Sequence, residues 1–98
     1  MNLVWSAYAL ADREQIFDYI EADNSHAAIA VDERIALAVQ QFRRFSESGR
    51  PGRVEGKREL TIAGLPSIAV YVVPPDRVRI LRVLHGAQRW PSPDPGRA

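Results

Sequence analysis

The sequence predicts an α+β fold: an N-terminal strand and an antiparallel helix hairpin packed on a small, mostly antiparallel, twisted sheet. Three observations predict it. Apolar residues recur at helical spacing from Ala7 to about Glu47. So few residues part the two helical segments that they must fold back on each other. Three short apolar runs between Lys57 and His85 are joined by proline and glycine turns, the pattern of a β-meander.

Asn2 to Trp5 is a short apolar run ahead of Ser6, a good N-cap, and is assigned as the first strand. From Ala7 to about Asp23, Leu10, Ile16, Phe17 and Ile20 fall at helical spacing among charged residues. Asn24 or Ser25 can cap a second helix that runs to about Glu47. Its stripe is Ala28, Val31, Ile35, Ala38, Val39, Phe42 and Phe45, and Gly49 is placed to end it. Arg50-Pro51-Gly52-Arg53 is expected to be loop, extending to Gly56. Strands are expected at about Lys57–Ala63, Ser67–Val73 and Arg77–His85, with Gly64-Leu65-Pro66 and Pro74-Pro75-Asp76 as turns. On the last strand, alternation puts Val78, Ile80, Arg82 and Leu84 on one face and Arg79, Leu81, Val83 and His85 on the other. Both faces are mainly apolar, so this strand is expected in the sheet interior. Residues 1–91 form one domain, and 92–98, rich in proline, are expected to be a disordered tail.

Ninety-eight residues suffice for one modest core. The chain lacks cysteine, so disulfides and thiolate chemistry are excluded. Paired-histidine spacing, nucleotide-binding glycine loops and serine elbows are absent too, and no metal or cofactor is expected. No apolar stretch reaches membrane-spanning length and no signal pattern opens the chain, so the expected location is the cytoplasm.

The net charge of +1 conceals a division. Residues 1–42 carry two arginines against seven acids, a net −5, whereas residues 43–98 carry ten arginines and Lys57 against five acids, a net +6. Arginine's planar fork suits phosphate and carboxylate, so the basic half fits a nucleic acid or an acidic protein segment. Intramolecular neutralisation of the two halves is the alternative. Arg53, Lys57, Arg58, Arg79, Arg82 and Arg89 are the candidate anion-binding cations.

Few residues offer catalysis. His85 lies near the end of the last strand among arginines, which disfavour its charged form and suit it to act as a general base. Cleavage of RNA through a 2′-hydroxyl needs such a base, an acid and cations on the phosphate. Arg82 could supply the cation, and Tyr71 a proton or a stacking surface. Each also has a structural explanation: a hydrogen-bonded strand-end histidine, a half-buried strand tyrosine. Trp5 is expected to pack where sheet meets helices, and Trp90 to cap the core edge.

Several pieces together carry a family resemblance. They are W-S-x-x-A-x-x-D-x-x-x-I-x-x-Y-I from Trp5, the G-R-x-G-R-V-x-G stretch from Gly49, R-E-L-T-I from Arg58, V-x-I-L-R-V-L-H from Val78, and R-W-P from Arg89. In this order they resemble the RelE/ParE superfamily of small bacterial toxins, over residues 2–91. The resemblance implies a growth inhibitor from a type II toxin–antitoxin module, neutralised in a heteromeric complex by a cognate antitoxin whose disordered segment folds onto it. It implies an apolar groove along the helix hairpin and sheet edge, and Trp5, Leu10, Phe17 and Ile20 as antitoxin-binding residues. RelE-like members resemble metal-independent ribonucleases acting on messenger RNA in the ribosome, whereas ParE-like members are associated with poisoning DNA gyrase. One lysine in the whole chain and no tyrosine after Tyr71 depart from the RelE pattern, and L-H-G-A-Q-R-W-P looks more like the ParE branch. The expected function is therefore gyrase-directed inhibition without nuclease activity. The alternative is a ribosome-dependent nuclease using His85, Arg82 and Tyr71.

Overall fold

The chain runs β1 (Asn2–Trp5), α1 (Ala7–Glu21), α2 (Ser25–Gln40), a single 3-10 turn (Gln41–Arg43), β2 (Arg50–Pro51), β3 (Arg58–Thr61), β4 (Ser67–Val72) and β5 (Arg77–His85). This is a computed structural model that describes residues 2–86. The expectations for Arg89, Trp90 and the tail lie outside the described residues. One sheet holds the strands in the order β1-β5-β4-β3-β2. β1 pairs with β5 in parallel, and the remaining neighbours are antiparallel. The expected helix hairpin on a mostly antiparallel sheet is the architecture found, with β5 in the interior.

Both helices begin where the caps place them. The Ser6 hydroxyl accepts from the Ala9 N–H at 3.0 Å and donates to the Leu81 carbonyl at 2.8 Å, so one side chain starts α1 and ties it to β5. Asn24 accepts from the Ala27 N–H at 3.0 Å and starts α2. Ala9 and Ile16 of α1 and Ile35 and Val39 of α2 pack with Ala69, Tyr71, Val78, Ile80 and Val83 of the sheet, forming the main core.

α2 ends at Gln40, well before Glu47. The chain must turn there to deliver Arg50 and Pro51 to the edge of β3, and the apolar stripe ends with it. Phe42 is fully buried, stacked on Tyr71 with centroids 3.9 Å apart, while Phe45 is 62% exposed. Gly49 is not the helix cap. Its N–H donates to the Tyr71 hydroxyl at 2.7 Å, and a Cβ there would stand 2.6 Å from that oxygen. The expected loop at Arg50 is instead the edge strand β2, where Pro51 is tolerated because an edge residue can spare its N–H.

Alternation along β5 is also corrected. Val70 pairs with Arg82 but Tyr71 pairs with Ile80, leaving Leu81 unmatched as a bulge. The extra residue reverses the faces beyond it. Val83 therefore joins Val78 and Ile80 in the main core, while Leu84 packs with Val70, Val54 and Ile68 on the sheet's other side.

Candidate functional site: the arginine-rich sheet and the helix hairpin

Past Trp5, β1 stops and β5 continues, exposing the edge of β5 at the bulge. Asp12, six residues beyond the Ser6 cap on α1, fills that gap. Its carboxylate accepts from the Val83 N–H at 2.8 Å and from the Arg82 guanidinium at 2.7 Å (Nε) and 2.9 Å (Nη2). The two side chains are only 6% and 7% exposed. The hydrogen bond to Asp12 raises the Arg82 pKa, burial opposes it, and the net is a guanidinium held above its ordinary value. Arg82 is thus committed to a structural pair.

A second buried acid lies on β3. Glu59 is 2% exposed and accepts from the Arg53 N–H at 2.9 Å and from the Arg53 guanidinium at 3.2 Å, with Arg50 at 3.8 Å. Burial pushes its pKa up. The hydrogen bonds and charge of Arg53, helped by Arg50, outweigh that and hold the carboxyl below the ordinary range. Glu59 pins the segment between β2 and β3 to the sheet.

The candidate cations do not gather in one patch. Glu59 and Val70 are paired in register, as are Val70 and Arg82, so these residues lie on the face turned away from the helices. Arg79 is exposed on that face, and Arg53 reaches it through Glu59. Arg58 lies on the opposite face, donating to the Gly49 carbonyl at 2.7 Å and approaching Glu47 at 3.4 Å. Lys57 is half-buried at the start of β3. Arg89 is outside the described residues.

Nor are the three candidate catalytic side chains brought together. Tyr71 is fully buried between Phe42 and Gly49, which leaves it no face for a base to stack on. His85 is half-buried at the end of β5, with Nδ1 2.8 Å from the buried Ser67 hydroxyl. Strand alternation puts it on the opposite face from Arg82. Among the described residues Asp12 and Glu59 are buried acids, and neither stands among the candidate site residues read from the sequence. Asp12 was detectable, for it stands on the α1 stripe with Ala9 and Ile16, where an acid requires a buried partner.

The helix hairpin carries a shallow groove of about 240 Å³ lined by Leu10, Arg13, Glu14, Phe17 and Asp32. Arg13 and Asp32 form a two-pronged bond across α1 and α2 at 3.0 and 2.8 Å, and the Arg13 guanidinium lies 4.7 Å over the Trp5 ring. Leu10 is half exposed, Phe17 and Trp5 are partly buried, and Ile20 packs against the main core.

The family model for the ParE toxin of type II toxin–antitoxin systems, parDE, matches residues 3–90. The chain belongs to the ParE toxin family. It is 42% identical over 88 residues to Y4kP of Sinorhizobium fredii (strain NBRC 101917 / NGR234), a protein named as a candidate toxin, covering 90% of this chain and 91% of that one. Among solved structures it is similar to the chromosomal ParDE system of P. aeruginosa. There the TM-score is 0.80 at 29% identity, over 88% of this chain and 96% of that chain. The YoeB/ParE toxin of Agrobacterium tumefaciens shares the fold, with a TM-score of 0.57 at 17% identity over 87% and 98% of the two chains. The protein is therefore the toxin component of a type II module, ParE-like rather than RelE-like, and a cognate antitoxin is its partner. No helix among the described residues is long and apolar enough to cross a membrane.

Proposed function

We propose that this ParE toxin arrests growth by binding DNA gyrase in the cytoplasm, without cleaving RNA. The withdrawal of Arg82 into its pair with Asp12 is the observation that carries this proposal. A phosphate-facing guanidinium must be free to move to its ligand, and here both prongs are engaged and desolvated. Burial of Tyr71 supports the same reading, since its hydroxyl accepts from the Gly49 N–H inside the core and is not presented to a substrate as an acid for a leaving oxygen. Arg79, exposed on the sheet face away from the helices, remains for an acidic surface of the target. The antitoxin holds the toxin inactive from the other side, through Trp5, Leu10, Phe17 and the neighbouring Ile20 on the hairpin.

The test compares two assays on the purified toxin: inhibition of gyrase supercoiling and cleavage of ribosome-bound message. The expected result is supercoiling inhibition that His85→Ala changes by no more than about twofold. Loss of a general base lowers a rate by roughly a hundredfold or more. Message cleavage that disappears with His85→Ala would overturn the non-nuclease assignment.

A further inference from the structure

The outer face of the sheet, turned away from the helices, is covered at one end and open at the other among the described residues. At the covered end Val54, between β2 and β3, packs with Ile68 on Val70 and Leu84, and the last two are buried. At the open end the strand register sets three side chains in a row. Val4 of β1 pairs with Arg79 of β5, and Arg79 pairs with Val72 of β4. Their chain neighbours Leu3, Trp5, Tyr71 and Ile80 pack in the main core on the helix side, so alternation turns all three outward. Neighbouring strands lie about 4.8 Å apart, so the row spans about 10 Å. Val4 is 40% exposed, Val72 is half-buried and Arg79 is exposed.

The charges on this face are unequally settled. Glu59 is held by Arg53 and Arg50, and Asp76 lies 3.4 Å from Arg77. Arg79 has no acid within ion-pair distance among the described residues. A guanidinium between two valines is an amphipathic site. Its planar fork takes a carboxylate, and the aliphatic side chains on either side exclude water from that bond once a partner covers them. An exposed ion pair contributes little, whereas one desolvated within an interface can contribute much more.

We infer that the row of Val4, Arg79 and Val72 is the surface by which the toxin meets its protein target, and that the target presents there a carboxylate flanked by apolar side chains. This inference rests on the gyrase reading and supplies the contact surface for it. Charge complementarity selects the occupant. A second copy of this chain laid face to face would set arginine against arginine. A nucleic acid asks for a succession of unpaired cations along its phosphates, whereas here two valines flank one. The row lies on the opposite side of the sheet from the hairpin groove, so changing it leaves the antitoxin contacts in place.

The full chain is titrated against purified gyrase, and two quantities are read: inhibition of supercoiling, and binding to the gyrase protein in the absence of DNA. Arg79→Glu and Val4→Glu should each raise the half-inhibiting concentration and the Kd by about tenfold to a hundredfold. Arg79→Ala, which removes the cation without reversing it, should raise both by about threefold to tenfold. The cognate antitoxin should bind all three variants within about twofold of the parent, which certifies the fold. Parent-like inhibition by both Arg79→Glu and Val4→Glu would overturn the inference and leave the gyrase reading standing. So would an Arg79→Glu toxin that binds the gyrase protein normally yet loses affinity for duplex DNA, since the face would then be a nucleic-acid site. A parent chain that leaves supercoiling unaffected would instead remove the gyrase reading itself.

Discussion

Removing the Asp12 carboxylate strands a guanidinium inside the protein. Arg82 would keep its burial and lose both hydrogen bonds, and the Val83 N–H would lose its acceptor. Breaking one side of a buried pair costs about 3–5 kcal/mol, far more than an exposed pair contributes. Asp12→Ala should therefore lower unfolding free energy by about that much in a denaturant titration. Asp12→Leu with Arg82→Met, which removes both charges, should lose clearly less. Equal losses in the two proteins would mean that the uncompensated buried charge does not set the cost. Glu59 makes the complementary prediction in pH. Its folded pKa lies below the ordinary glutamate value, about 4.3, so the stability it adds is complete above that value and is lost as pH falls through the folded one. The melting temperature should fall on acidification, and Glu59→Gln should flatten that fall while lowering the melting temperature near neutral pH. A variant with the same acid slope as the parent would show that other carboxyls set it.

Elements were legible where local chemistry decides them. The cap residues Ser6 and Asn24 define both helix starts, and the Pro74-Pro75-Asp76 turn sets the start of β5 at Arg77. Features settled by distant partners were not. Phe45 continues the period of α2, yet the chain leaves the helix at Gln40 because Phe42 must reach Tyr71 and Gly49 must pass over the Tyr71 hydroxyl. Two residues containing a proline carry no strand signal, so β2 exists only by virtue of its partner on β3. The bulge at Leu81 has no local signature either: Ser6 and Asp12, some 70 residues away, hold its edge through Leu81 and Val83. The same distance hid the fate of Arg82. Charge counting identified it as a cation for a partner, while folding supplied the partner from α1.

At the scale of the whole toxin, the charge division noted in the sequence is only partly neutralised within the fold. Asp12 meets Arg82 across it, but Arg13 and Asp32 pair within the acidic half, and Arg53 and Glu59 within the basic half. Leu37, Leu10 and Ile29 stay exposed on the hairpin, and covering such apolar surface is what a stable partner does. A neutralising interface should bury at least about 1,200 Å² in total. An antitoxin that binds only the folded toxin must also stabilise it by mass action, by about 2.7 kcal/mol at a hundred times its Kd. For a domain of this size each kcal/mol moves the melting temperature by about 4–8 °C, so the shift should be roughly 10–20 °C. Scanning calorimetry with rising antitoxin measures it directly. A shift below about 3 °C at saturation would be incompatible with a stable neutralising interface on the hairpin.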